Sequence, residues 1–303
     1  MRLLDACPTC GGSAIREKFE HVTERRDTFH VFACENCDHR FICPQPSFDE
    51  LAPYYQDGYR CYAGCDERVE AMVSAARHSG KLRHISVEPG MSILDYGCGS
   101  GDFVVSALRL GALAVGIEPS AIAAQRAREA GATVFEGTLE TLDRLQIGGP
   151  FDAITMNHVL EHIPEPSKVL KGLSNLLQED GFLWIAVPNA DCWGSRVLRQ
   201  HWHSADLPRH LHHFTSESLR YCGAQAGLRL ISMTTDTPAH SMANTIQLVL
   251  RKKFRIPFRV SNAFGLLPRF VAPRLAMRAD RRQVGEALIA TFARTPAAVT
   301  PQW

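Results

Sequence analysis

The pattern of apolar and polar positions changes at about residue 91. Before it, short alternating stretches such as FHVFAC lie among cysteines, prolines and glycines, which is typical of a small β-module. After it, apolar runs of strand length alternate with amphipathic helical stretches. We predict strands at 92–96, 114–118, 133–136, 151–156, 182–187, 228–236 and 286–294. We predict helices at 102–110, 120–129 and 166–177.

This alternation of strands and helices predicts an α/β domain with a parallel sheet covered on both faces. Residues 1–50 are predicted to form a separate module, 51–88 a linker and a leading helix, and 89–303 the main domain. Within the main domain, 241–284 is predicted to be a basic apolar insertion. Chain length allows one large domain with such an appendage.

An uneven distribution of charge is found in that insertion. The whole chain carries a formal charge of +1, but 241–284 holds ten Lys/Arg against one acid. This excess predicts contact with an anionic membrane surface or with a phosphate-bearing acceptor. The alternative is a helical cover over the sheet with a solvated charged face. No stretch has the length of a membrane span or the pattern of a signal peptide, so we expect a cytoplasmic protein, with peripheral contact to the inner membrane face as an option.

The stretch 93–104, ILDYGCGSGDFV, ends a strand in glycines and opens a helix. Bare backbone N–H groups and a helix N-terminus at one point favour an anionic or polar cofactor. The glycine spacing is not the G-x-G-x-x-G of nicotinamide enzymes, which disfavours that class. Glu118, at the end of the next strand, is expected to accept hydrogen bonds from a ribose diol. A tight turn without a ligand is the alternative.

Three stretches, LDYGCGSG, GIEPS and FDAITMNHVLEHIPEP, resemble class I S-adenosylmethionine-dependent methyltransferases. The resemblance implies a doubly wound, mostly parallel seven-stranded Rossmann-like sheet with an antiparallel final strand. Thr138 stands where the family often has an acid that reaches adenine. The resemblance implies the following cofactor-binding residues: Asp95, Gly97, Cys98, Gly99, Gly101, Glu118, Pro119, Thr138, Leu139, Asn157 and His158.

Two C-x-x-C pairs lie in the N-terminal module. Four thiolates in two knuckles predict a closed, structural Zn²⁺ site in a zinc-ribbon-like fold, with ligands Cys7, Cys10, Cys34 and Cys37. His39 or Cys43 could replace one of these ligands, and buried free thiols are the alternative. Cys61 and Cys65 are expected to be free.

Five histidines follow the fifth predicted strand, in HWHSADLPRHLHHFT. A neutral imidazole can take the proton from a hydroxyl or carbon acceptor, so we predict His210 or His213 as the base, oriented by Asp206 or Glu161. Arg209 could hold a substrate anion. The alternatives are a structural role and a second metal site, and His158 or His162 is the next candidate for the base.

The PRHLHHFT string and the zinc module together resemble a methyltransferase subgroup associated with sugar and surface-glycan biosynthesis. We therefore expect methyl transfer to a hydroxyl or carbon of a sugar nucleotide or lipid-linked glycan. The alternatives are an RNA base methyltransferase, although the N-P-P-[YF] arrangement is absent, and a non-catalytic scaffold.

Overall fold

The computed structural model describes residues 1–23, 25–55, 81–141, 147–256 and 266–295. The strands in chain order are β1 (Ile15–Val22), β2 (Thr28–Cys34), β3 (Arg40–Ile42), β4 (Ser92–Tyr96), β5 (Leu113–Glu118), β6 (Val134–Glu136), β7 (Phe151–Asn157), β8 (Leu177–Pro188), β9 (His212–His213), β10 (Leu228–Asp236) and β11 (Ala287–Arg294). The α-helices are Phe48–Leu51, Asp102–Arg109, Ala121–Glu129, Pro166–Ser174, Trp193–Leu198, Ser216–Gln225, Ala239–Lys252 and Leu266–Arg281. Single 3₁₀ turns occur at Ala52–Tyr54, Lys81–Arg83, Leu160–His162, Arg199–His201 and His203–Ala205.

Seven strands form the main sheet in the order β10-β11-β8-β7-β4-β5-β6. β4, β5, β6, β7 and β8 pair in parallel, and β11 runs antiparallel to both of its neighbours. Alternate residues of one strand enter different cores, Ile93 on one face and Leu94 on the other. The predicted doubly wound sheet with an antiparallel final strand is confirmed.

The boundary between the helix Pro166–Ser174 and β8 differs from the prediction. The helix ends three residues early and β8 begins at Leu177, where Leu177 pairs with Phe151 across a register shift. The sequence QEDG reads as a turn, yet it lies within the strand. A side chain at Gly181 would lie 2.7 Å from the Phe151 carbonyl oxygen, so this close approach of two backbones requires glycine.

The N-terminal module is completed by the main domain. Its four-stranded sheet has the order β1-β2-β3-β9, and β9 comes from residues 212–213. The Ile42 N–H also donates to the Leu211 carbonyl at 3.0 Å. The sheet therefore crosses the predicted domain boundary at residue 50, because the three strands β1 to β3 take their fourth neighbour from the histidine-rich segment.

Two predicted features fall partly or wholly outside the described residues. Most of the predicted leading helix lies there, as do Cys61 and Cys65. Of the basic apolar insertion, the described parts are two helices, and Pro273 lies inside the second one without ending it.

Candidate active site

The glycine loop lies between β4 and the helix Asp102–Arg109, at the carboxyl edge of the sheet. Gly97 and Gly101 have positive φ angles of 73° and 83°. A Cβ atom at Gly97 would lie 2.4 Å from a methyl group of Val159, so the loop passes too close to the end of β7 for any other residue. The loop thus combines left-handed backbone with close packing, as its glycine spacing predicts.

Glu118 holds this loop from the end of β5. One carboxylate oxygen accepts the Gly99 N–H and the other accepts the Ser120 N–H, both at 2.9 Å. Burial raises the pKa of Glu118, and the two backbone N–H groups oppose that rise. Each oxygen keeps a second lone pair, so the carboxylate can still accept hydrogen bonds from a ribose diol.

Asp95 lies at the carboxyl end of β4 and is 1% exposed. Its Oδ1 atom accepts from the Thr155 hydroxyl at 2.6 Å and from the Lys81 ammonium, while its Oδ2 atom is buried with no partner. A buried carboxylate oxygen without a donor fits an ammonium group such as that of a methionyl cofactor. This orphaned oxygen is the local observation that favours S-adenosylmethionine in the site.

Lys81 was missed by the sequence reasoning. Its side chain is 9% exposed and its ammonium lies 4.8 Å from the centre of the Phe103 ring, at the start of the helix after the glycine loop. A buried ammonium beside the glycine loop can meet the carboxylate of an amino-acid cofactor. No periodicity in the sequence indicates this, because the lysine lies in a short 3₁₀ turn before β4.

The predicted adenine side is less open. The Leu139 N–H donates to the Tyr96 hydroxyl at 3.4 Å, and the Thr138 N–H donates to the Thr141 hydroxyl at 2.8 Å. Burial raises the pKa of Tyr96 to about 12, so this hydroxyl stays protonated. Thr138 and Leu139 therefore lie beside the cofactor edge with their backbone donors already engaged.

Asn157 and His158 lie at the carboxyl end of β7, and both are exposed. His158 has a φ of 55°, a left-handed conformation that costs a non-glycine residue about 1–3 kcal/mol and is concentrated at functional sites. Its Nδ1 atom lies 3.2 Å from a carboxylate oxygen of Glu161, and its side chain is 50% exposed. Burial lowers the pKa of His158, but the hydrogen bond and charge of Glu161 outweigh it, so the net shift is upward.

Glu161 is fully buried beneath a group of imidazoles. Burial alone would raise its pKa, yet the hydrogen bond and the charge of His158 lower the pKa to about 2. Its Oε2 atom has no partner. The His210 Nε2 atom lies 3.9 Å from Glu161 Oε1 and 3.6 Å from Asp206 Oδ2. The structure thus brings together three of the four predicted catalytic residues: His210, Asp206 and Glu161.

Asp206 is shared with Arg209, whose Nε donates to it at 2.9 Å, and Arg209 also donates to the Tyr54 carbonyl. Arginine charge here is neutralised within the protein, which leaves less of it for a substrate anion. Burial and the nearby His162 lower the pKa of His210 to about 3, so this imidazole is neutral at pH 7.

His213 lies apart from this group, in β9. Its Nε2 atom bonds to the Ala205 carbonyl at 2.8 Å, its Nδ1 atom is buried without a partner, and the residue is 4% exposed. Burial lowers its pKa to about 4. The neighbouring His212 pairs with His39 of the module at 3.0 Å. His213 therefore belongs to the contact between the module and the main domain, and its predicted role as a base stays a prediction.

The four predicted zinc ligands converge in the module. Sγ of Cys7 lies 3.7 Å from Sγ of Cys37, and Sγ of Cys10 lies 3.5 Å from Sγ of Cys34. Tetrahedral Zn–S bonds of about 2.3 Å place sulfurs about 3.8 Å apart, so the spacing fits the ion. Cys43 contacts the Leu4 backbone, and His39 faces His212, so neither is in the four-sulfur group.

The second described helix of the basic insertion has three exposed apolar side chains. Val271, Leu275 and Met277 are 39%, 39% and 52% exposed, and Arg278 and Arg281 lie on the same helix. Its contact with an anionic surface stays a prediction. Among the helices that the structure describes, none is long and apolar enough to span a bilayer.

Comparison with known proteins gives the family. A model described as a methyltransferase domain matches residues 75–233. The ubiquinone biosynthesis O-methyltransferase of Glaesserella parasuis serovar 5 is 32% identical over 152 residues, 45% of this chain and 64% of that protein. The protein of the same name from Colwellia psychrerythraea is 33% identical over 104 residues, 33% of this chain and 42% of that protein. The chain thus spans less than two thirds of the length of these curated relatives.

A solved structure with the same fold is a chain of the complex between the Haloferax volcanii Trm112 methyltransferase activator and a methyltransferase. It has a TM-score of 0.51 at 17% identity and covers 82% of this chain and 97% of that chain. The family match includes the glycine loop, Glu118 and the end of β7. The chain therefore belongs to the methyltransferase domain family.

Proposed function

We propose that the protein methylates a hydroxyl oxygen of a small acceptor and that His158 takes the hydroxyl proton. The observation that carries this proposal is the pair of His158 and Glu161 beside the glycine loop. Glu161 is an anion and accepts the Nδ1–H of His158, so the lone pair of His158 is on Nε2. A half-exposed imidazole with this tautomer can act as a general base.

S-adenosylmethionine, when bound, supplies a methyl group on a sulfonium sulfur. In this proposal its polar groups are held by Asp95, Lys81 and Glu118. The glycine loop, with Gly97, Gly99 and Gly101, lies against the bound molecule. As the acceptor oxygen received the methyl group and the bond from methyl carbon to sulfur broke, Nε2 of His158 would take the hydroxyl proton. Glu161 stabilises the resulting imidazolium.

The acidity of the hydroxyl favours a phenolic acceptor. A neutral imidazole takes a proton more readily from a phenol, whose pKa is about 10, than from the much less acidic hydroxyl of a sugar. The names of the curated relatives, O-methyltransferases of ubiquinone biosynthesis, support oxygen as the accepting atom. The sugar nucleotide or lipid-linked glycan predicted from the sequence is the competing acceptor, and the comparisons give no support to RNA.

An isotope-transfer assay tests the proposal. Full-length protein and S-adenosylmethionine labelled in the methyl group are incubated with a catechol, with the matching methyl ether, with a sugar nucleotide and with RNA. We expect the label in an O-methyl product of the catechol alone. Label on the sugar nucleotide would restore the glycan prediction, and label on RNA or on carbon would contradict O-methylation.

We also propose that the four cysteines hold one structural Zn²⁺. The four sulfur atoms lie within 4.8 Å of one another, and a site filled by four thiolates has no open position for a substrate. Elemental analysis of protein purified without chelator should find zinc, and Cys10→Ser should lose it. Zinc-free native protein would contradict this site.

A further inference from the structure

A second group of metal-ligand atoms lies beside the proposed base. Atoms of Glu161, His162 and His210, one from each residue, lie within 4.8 Å of one another. We propose that these three residues bind a divalent first-row transition metal ion, which takes the acceptor hydroxyl as a further ligand. The role in methyl transfer rests on the proposed function, but the metal site itself is independent of it.

The tautomers of the two histidines favour metal binding. The His162 Nδ1 atom lies 2.9 Å from the Arg209 carbonyl, and the His210 Nδ1 atom lies 2.9 Å from the Ser204 carbonyl. A carbonyl oxygen only accepts, so each Nδ1 carries the hydrogen and each Nε2 has a free lone pair. Metal-bound histidines usually donate their other ring N–H in this way, which fixes both tautomer and orientation.

The Nε2 atom of His210 faces two carboxylates, one of which also binds the Arg209 guanidinium. Its Nε2 lone pair faces carboxylate oxygens of Glu161 and Asp206 at 3.9 and 3.6 Å, which are too long for hydrogen bonds. The second carboxylate oxygen of Glu161 is fully buried and has no partner. Lone pairs that face one another in a buried place repel unless a cation lies between them.

The ligand types indicate which ion fits. Two imidazoles and one carboxylate suit zinc, manganese or iron better than magnesium or calcium, which prefer oxygen ligands throughout. Metal–ligand bonds of about 2.1 Å allow at most about 4.2 Å between two ligand atoms. Any pair of ligand atoms that lies farther apart than this, within the 4.8 Å limit, would move closer on binding. Three protein ligands leave positions for an acceptor oxygen, whose proton the ion would make more acidic.

Manganese binding tests the site without any methyl transfer. Full-length protein that contains one equivalent of zinc per chain, as the cysteine site alone would hold, is titrated with Mn²⁺, and free Mn²⁺ is followed by electron paramagnetic resonance. We expect one bound Mn²⁺ per chain. Glu161→Gln, which is nearly isosteric, and His210→Ala should each weaken binding by about 100-fold or more, since even indirect partners of a metal contribute about 10–100-fold.

His203→Ala is the matched control, because His203 is exposed in the same segment and lies outside the group. Melting temperature and S-adenosylmethionine affinity report whether each variant is folded. Equal Mn²⁺ affinity in wild type and folded Glu161→Gln would overturn the site. Wild-type protein that binds neither Mn²⁺ nor Co²⁺ would also overturn it. Metal binding without methylation of any oxygen would contradict only the proposed function. Metal-free O-methylation would contradict only this inference.

Discussion

Two parts of the site are built in different ways. The cofactor side lies around the glycine loop, and the proposed acceptor side lies around Glu161 and the histidine-rich segment. The cofactor side uses contacts of shorter range: those of Glu118 with Gly99 and Ser120 span 19 and 2 residues, and that of Asp95 with Thr155 spans 60. The acceptor side joins distant parts of the chain, since Arg209 contacts Tyr54 and His212 contacts His39, 155 and 173 residues away. The cofactor edge is therefore built within the main sheet and its loops, whereas the proposed acceptor side also depends on the docked module.

A substitution of the proposed base, His158, should have the largest effect on turnover and little effect on cofactor affinity. His158→Ala removes the proposed proton acceptor, and we expect turnover to fall by about 10²–10⁴ because that is the usual contribution of a positioned base. S-adenosylmethionine affinity should stay close to wild type, since the glycine loop and Glu118 are untouched. Single-turnover rates and calorimetry measure the two quantities. His30→Ala, at a half-buried histidine of the module away from the glycine loop, is the control.

A full rate in His158→Ala would remove His158 from catalysis. His210 and His213, the bases predicted from the sequence, would then be tested by the same pair of measurements. Loss of cofactor affinity together with rate would indicate a structural role for the residue changed.

The converse experiment changes the cofactor side alone. In Glu118→Ala, charge-assisted hydrogen bonds to the ribose are lost, each contributing about 1.5–3 kcal/mol, so the Kd for S-adenosylmethionine should rise by about 10-fold or more. Glu136→Ala, at an exposed glutamate at the end of β6, should leave the Kd unchanged. Unchanged affinity in Glu118→Ala, measured by calorimetry, would exclude the carboxylate from the ribose site.

Docking of the module can be weakened at Arg40. Its guanidinium donates to the Ala190 carbonyl and to Asp191 at 2.8 Å, which ties β3 to the residues after β8. Arg40→Met should lower the free energy of unfolding by about 1.5–3 kcal/mol. It should also reduce turnover more than cofactor affinity.

Arg220→Met is the control for this change, because the pair of Arg220 with Glu217 is exposed and such pairs contribute at most about 1 kcal/mol. Urea unfolding measures both variants. Equal losses of stability in the two would show that Arg40 does not hold the module in place.

The smallest expected effect is a change in the titration of His158. Glu161 raises the pKa of His158, and the base must be neutral, so the rate should increase with pH through a value above 6.5. Glu161→Gln should lower that pKa, because burial then acts without the opposing charge. Nuclear magnetic resonance of the imidazole C–H, with chelator present, follows the titration. An unchanged inflection in the variant would mean that Glu161 does not control the base.

Strand ends and glycine spacing indicated the cofactor side from the sequence because they are local. Asp95 and Glu118 each end a strand whose apolar pattern is clear, and β4 has the predicted bounds. Lys81 could not be found in this way, since a flexible side chain in a short 3₁₀ turn reaches Asp95 only in the folded chain. β9 has two residues, too few for any alternating pattern, so its pairing with β3 could not be predicted.

The pairing of β3 with β9 also has a consequence for synthesis of the chain. A ribosome releases β1, β2 and β3 long before the segment that contains His212, whose partner His39 is 173 residues earlier. During that interval the edge of β3 has no neighbour from this sheet, and an unpaired strand edge is a site for wrong association. Metal bound early by the four cysteines would hold the three strands in register until β9 arrives. The pairing of β3 with β9 can therefore form only after residue 213 has been made. With the zinc site proposed above, zinc supply during translation should affect the yield of folded protein.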